Sequence, residues 1–167
     1  MTSESLRAAA SHEAGHAVVG VVLGLELVSL DTKVTGRRLG AAEFVPVGFE
    51  FAEPEIQDAY AAMTWAGTLA QERAGFGDEG AGFGRMADDF GAERDSDLAE
   101  LLAMASKVGE VDQESAELDR WRALSGATLD RYWDAVRMVA ARLIEVGHAE
   151  PAEVTALVAS DDSAKEA

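Results

Sequence analysis

The chain has 167 residues, three His, no Cys and 14 Lys+Arg against 31 Asp+Glu, a net charge of −17. That length suits one domain able to bury roughly two-thirds of its unfolded surface without a disulfide or structural metal, and 48% hydrophobic with 27% charged residues reads as globular. The charge disfavours binding to nucleic acid and anionic lipid. The lack of Cys excludes disulfides, Cys-bound metal and thiol catalysis.

The start, Met1 to Ser5, has neither the basic residues nor the apolar core of a signal peptide. The longest apolar stretch, Ala17 to Leu25, is about nine residues where a membrane span needs ~20. A cytoplasmic protein with no membrane or nucleic-acid partner is therefore expected.

Apolar side chains at Leu6, Ala10, Ala14, Ala17, Val18, Val21 and Val22 recur with helical period, so Ser3–Leu23 is predicted as a helix that Gly24 ends. Leu25–Leu30, Lys33–Thr35 and Leu39–Val47 follow as β-branched or alternating runs, a sheet of two or three strands that Pro46 closes. Pro54 fits the first position of a second helix reaching Ala74. Six glycines crowd residues 75–91, which predicts a long loop with the character of a lid. A third helix is expected from Ala92 to Val108, then an acidic connector around Glu110–Glu117. A long amphipathic helix from Thr128 to Val146 comes next, with Gly147 beyond it. A short helix opens at Pro151. The reading is thus one domain over residues 1–159, α+β and mostly helical, with a C-terminal helical part and a flexible acidic tail at 160–167.

The chemistry is concentrated in Ser11-His12-Glu13-Ala14-Gly15-His16, an HExxH motif within the first helix. Residues i and i+4 share a helix face, so His12 and His16 can present ring nitrogens to one zinc ion, while Glu13 points toward the metal's water. The small neighbours Ala14, Gly15 and Ala17 allow close approach. A catalytic zinc takes three protein ligands and leaves one position open. His148 lies beyond the long helix and reads as a helix-terminal cation. A carboxylate must then complete the set, and Glu72, Glu93, Asp95, Asp97 and Glu100 all qualify.

Other motifs carry less. Gly75-Phe76-Gly77-Asp78-Glu79-Gly80 spells GxGxxG, but no strand precedes it and its acids repel a pyrophosphate. No GxxxxGK[ST] occurs. Trp65, Trp121 and Trp133 lack the basic surround of a base-stacking platform. Arg37 and Arg38 read as solvated turn residues.

The segment Ala10-Ser11-His12-Glu13-Ala14-Gly15-His16-Ala17-Val18-Val19 resembles the start of the peptidase domain of the membrane-anchored AAA+ zinc proteases of the FtsH type. The likeness continues in order through Val34–Gly40, which resembles that domain's strand leading to its edge strand. Ala66-Gly67-Thr68-Leu69-Ala70-Gln71-Glu72 resembles its Gly-Arg-x-Ala-Glu-Glu helix, and Gly91-Ala92-Glu93-Arg94-Asp95-Ser96-Asp97-Leu98 resembles Thr-Gly-Ala-x-Asn-Asp-Leu. The resemblance makes Asp97 the third zinc ligand and Glu13 the general base, and it places an extended peptide along the strand near Leu39–Phe44. Ser96 stands where the family has Asn, and Gln71 where it has Glu; both touch groups that orient ligands.

The resulting expectation is an HExxH zinc metalloendopeptidase that cleaves unfolded or extended polypeptides without its own ATPase. A separate ATPase or adaptor would feed it, and a homo-oligomer fits the family. The alternatives are a silent zinc-binding relative acting as a regulatory or protein-interaction module, and a zinc hydrolase of a small amide.

Overall fold

The first helix, α1, spans Ser3–Val22 and is buried nearly all round from Ala8 to Gly20, as a helix must be when it runs through a core instead of over it. Small side chains make this arrangement close-packed. A Cβ on Gly15 would lie 2.5 Å from the Ala66 carbonyl oxygen and 2.6 Å from Ala70 Cβ, so only glycine lets the neighbouring helix come this near. Gly24 ends α1 with φ +85°. The amides of Gly24 and Leu25 close back on the carbonyls of Val21 and Gly20 at 3.1 and 2.9 Å, a Schellman stop with the apolar Leu25 buried behind it.

The computed structural model describes residues 3–35, 38–76, 87–108 and 113–165. Strands β1 (Leu27–Thr35) and β2 (Arg38–Phe44) pair antiparallel, with Leu27 opposite Phe44 and Leu30 opposite Ala42. The runs read separately as Leu25–Leu30 and Lys33–Thr35 are one strand whose register slips between Asp31 and Val34. Its outer edge is engaged by Gly147 and Ala149. The Thr32 amide donates to the Gly147 carbonyl at 2.9 Å, and the Ala149 amide to the Leu30 carbonyl at 3.0 Å. Among the described residues no strand pairs with the outer side of β2.

Helix α2 (Pro54–Gln71) opens on its proline as expected and runs into a wider helical turn, Glu72–Phe76. Then come α3 (Ala87–Val108), α4 (Glu114–Arg131), α5 (Trp133–Val146) and α6 (Pro151–Lys165). Helix α1 packs most extensively on α2 and α5. A main core gathers side chains from α1, the sheet, α2, α5 and α6. A second core joins Ala61 of α2, Leu101, Met104 and Ala105 of α3, and Trp121 of α4.

Four expectations are corrected. Residues 87–91, read as the end of a glycine-rich loop, form the first turns of α3; residues 77–86 lie outside the description, and with them the body of the expected lid. The acidic connector is largely helical from Glu114. The acids Glu114 and Glu117 fall in the first turn, where the helix dipole favours them, and Trp121 anchors the face. The single helix expected over Thr128–Val146 is broken at Tyr132 (φ −112°, ψ 26°) into α4 and α5.

The flexible tail expected at 160–167 is, through Lys165, the end of α6. Its acids have structural partners. Asp161 accepts the Ala135 amide at 3.2 Å, one of the donors that the first turn of α5 leaves unpaired. Asp162 accepts the Tyr132 hydroxyl at 3.0 Å and Arg131 Nη2 at 2.6 Å.

Candidate metal centre

The burial of α1 puts His12, Glu13 and His16 inside the protein; the three are 2%, 3% and 8% exposed. Polar groups so placed are costly unless each finds a partner. The imidazoles stand edge to face with centroids 4.6 Å apart, and their Nε2 atoms are 3.0 Å from each other. Helix α3 brings Asp97 against them: its Oδ2 lies 3.2 Å from His12 Nε2 and 3.5 Å from His16 Nε2. Of the carboxylates open to the sequence whose side chains are described, Asp97 is the one that meets the histidines. Glu100 is hydrogen-bonded to Tyr60 instead. Glu72 is exposed past the end of α2, and Glu93 and Asp95 fall in a stretch of α3 described by its backbone alone. His148 sits in the bridge to Asp31 of β1, apart from the cluster.

The orientation of His16 is set from α2. Its Nδ1 is 2.8 Å from the Met63 carbonyl oxygen, which can only accept, so Nδ1 carries the proton and donates. In the neutral ring Nε2 is then a bare lone pair facing His12 and Asp97. Asp97 Oδ2 is buried, and no described donor is aligned to hydrogen-bond with it. Three electron-rich atoms thus converge where one proton at most can be shared between the rings.

Two observations test whether a metal suits this arrangement. Tetrahedral zinc with bonds of about 2.0–2.1 Å needs ligand atoms about 3.3–3.4 Å apart, and the three separations of 3.0, 3.2 and 3.5 Å bracket that value. The second observation is Gly67 of α2. A Cβ there would come within 2.3 Å of His16 Nε2 and 2.7 Å of His12 Nε2, so the missing methyl leaves room beside both nitrogens. The residues present fit a zinc ion.

The electrostatics agree with a cation-seeking site. Burial lowers the His16 pKa, but the contact with Asp97, its charge and that of Glu13, and the Met63 carbonyl outweigh this and carry it from 6.5 to about 9. Burial raises the Asp97 pKa, and the adjacent histidines more than reverse that, holding it well below the usual carboxylate range. Glu13 lies under β2 where Gly40 crosses. A Cβ on Gly40 would be 2.9 Å from Glu13 Cγ and 2.9 Å from the Asp31 carbonyl oxygen, and its φ of +142° also favours glycine.

Three of these groups escape a reading of the sequence. The Met63 partner is a backbone oxygen and leaves no residue signature. Gly67 and Gly40 act through an atom they lack; their only signal is a small residue opposite the motif, which packing alone also explains. Ser96 is exposed and Gln71 half-buried at the end of α2. Among the described residues no helix is long and apolar enough to cross a membrane. No protein-family model and no curated protein matches the chain.

Proposed function

We propose that the chain is a zinc-dependent metallopeptidase resembling the FtsH-type peptidase domain, cleaving peptide bonds in extended or unfolded polypeptides. The observation that carries this reading is the convergence of His12 Nε2, His16 Nε2 and Asp97 Oδ2 beside a buried Glu13. A zinc ion held by these three atoms supplies a Lewis acid that makes water nucleophilic near neutral pH. Glu13 accepts the proton of the attacking water and delivers it to the departing amine. A packing role needs no carboxylate at that position, since an apolar residue would avoid the cost of burying a charge. The Met63 carbonyl fixes which nitrogen of His16 stays available. Strand β2, which carries Gly40 past Glu13, offers an extended substrate an edge along which backbone pairing orients the scissile bond with little demand on sequence. These 167 residues hold no P-loop, so presenting substrates would fall to an ATPase or adaptor outside them.

Metal content and turnover are tested apart. Mass spectrometry of the native protein is expected to find one zinc per chain, lost in His12→Ala; a wild type that takes up none on zinc addition removes the metal site. Digestion of an unfolded protein is expected from wild type and to fall by at least ~100-fold in Glu13→Gln, the scale of a lost general base. Equal cleavage by the two overturns the role of Glu13.

A further inference from the structure

A cleft of about 180 Å³ is lined by His16 and Asp97 of the cluster together with residues of β2 and α2 and Glu100 of α3. That is room for one amino-acid side chain: a cavity of about 150 Å³ holds a benzene, and pockets for drug-sized ligands begin near 300 Å³. We propose that this cleft receives a substrate side chain next to the scissile bond and selects lysine or arginine. The proposal rests on the peptidase reading above.

The lining divides by chemistry. Ala42, Phe44 and Pro46 on the β2 side and Met63 below make apolar walls, while Tyr60 and Glu100 supply the polar side. Glu100 follows Asp97 by three residues on α3, so the two carboxylates stand one turn apart, about 5–6 Å at Cβ. A side chain that lies along the apolar walls and carries a cation at its tip would place that charge beside Glu100. Lysine and arginine do so, with three or four methylenes below the cationic head.

Glu100 is held for this role. The Tyr60 hydroxyl donates to its Oε1 at 3.2 Å. Burial and the Glu100 charge push the Tyr60 pKa up to about 12, so the phenol remains a neutral donor. No lysine or arginine is among the described lining residues to neutralise it. An acidic substrate side chain would meet Glu100 and Asp97 together, and an apolar one would leave the Glu100 carboxylate without a counter-charge. The excess of 31 acidic over 14 basic residues biases encounter in the same direction.

The test uses the zinc-loaded full chain and a set of extended peptides differing at one residue: lysine, arginine, norleucine, leucine or glutamate. Cleavage sites mapped by mass spectrometry are expected beside lysine and arginine, with kcat/KM about tenfold above norleucine. Glu100→Gln is expected to remove most of that lysine-to-norleucine ratio, a readout that general destabilisation does not move. Equal cleavage of lysine and norleucine peptides, or a ratio unchanged in Glu100→Gln, overturns the pocket and leaves the peptidase reading intact. Calorimetry with the zinc-loaded Glu13→Gln chain separates the reverse case. If no peptide is cleaved yet the lysine peptide binds about tenfold more tightly than norleucine, and Glu100→Gln abolishes the difference, the pocket stands and the peptidase reading falls.

Discussion

Helices α1 and α4 are nearly equal in length, 20 and 18 residues, yet they hold the protein together in opposite ways. From Ala8 to Gly20, α1 is buried on every side, and its polar residues His12, Glu13 and His16 sit within the core. Helix α4 fully buries only Trp121, Ser125, Thr128 and Leu129, and its other residues are half-buried or exposed. In α1 the candidate ligands and base are also packed residues, so other elements must accommodate them: Met63 of α2 accepts from His16, Asp97 of α3 meets both histidines, and Gly40 of β2 leaves room over Glu13. In α4 a single indole is the main anchor. Stability and site chemistry are therefore concentrated in different places, and substitutions can address one without the other.

The largest stability effect is expected at Trp121. The indole is fully buried, meets Phe49 edge to face with centroids 6.4 Å apart, and donates from Nε1 to Asp58 Oδ1 at 2.9 Å. Trp121→Ala is expected to cost ~3–5 kcal/mol in urea unfolding. Arg120 still reaches Asp58 through Nη2 at 2.6 Å, which keeps that carboxylate paired. The molecules that remain folded should bind zinc one to one as wild type does. A stoichiometry that drops in the folded fraction breaks the separation between α4 and the cluster.

The converse substitution is Gly67→Ala. Its methyl would enter the space between the two Nε2 atoms, and zinc affinity is expected to fall by about 100-fold or more, the upper range for a residue that misplaces ligands. Two contributions to folding oppose each other: alanine favours a helix interior by ~1 kcal/mol over glycine, and the displaced rings cost ~1–3 kcal/mol. The metal-free chain should thus lose up to ~2 kcal/mol of stability, the difference of the two, while zinc no longer raises its melting temperature. Melting with chelator and with zinc measures both; a variant that keeps its zinc-dependent rise shows that the space beside the two nitrogens is not where the metal sits.

Legibility in the sequence follows the same division. The limits of α1, the starts of α2 and α6 at Pro54 and Pro151, and the stop at Gly147 (φ +81°) are visible because proline, glycine and apolar period act locally. The first turns of α4 are not, since its buried face is spelled with Ser125 and Thr128 and its first turn with acids that also suit a connector. The persistence of α6 past Ser160 depends on Asp161 and Asp162 reaching α5 and Tyr132, contacts without a local signal. At the site, the i and i+4 spacing of His12 and His16 is a helix property and reads directly. The choice among five carboxylates is a property of how α3 crosses α1, and composition leaves it open. The lesson of Gly67 is sharper still: an absent atom shapes the centre, and a glycine in a helix announces only its cost.

The smallest effect expected is a pH dependence that tells the two regions apart without a mutation in the core. His16 faces His12 and Glu13 on α1, Asp97 on α3 and the Met63 carbonyl on α2, and its pKa rises from 6.5 to about 9 in the folded chain. Folding therefore favours its protonated form. That contribution is fully present below about 6.5 and is lost as pH climbs through about 9. Asp97 has the opposite sign: its lowered pKa adds stability above its ordinary value of 3.8, and this is lost on acidification. Asp58, beside Trp121, is also lowered, burial being outweighed by Arg120 and Trp121, so the α4 region weakens only toward acid. In chelator, the melting temperature should then decline between pH 6.5 and 9.5 by at least ~2–4 °C, the shift that 1 kcal/mol gives at this chain length. Zinc, which replaces the His16 proton, should flatten that decline, and its affinity should rise with pH over the same interval. His16→Ala should lack the alkaline decline in chelator. If the variant still declines as wild type does, the alkaline sensitivity resides outside the cluster and the contrast between α1 and α4 loses its electrostatic half.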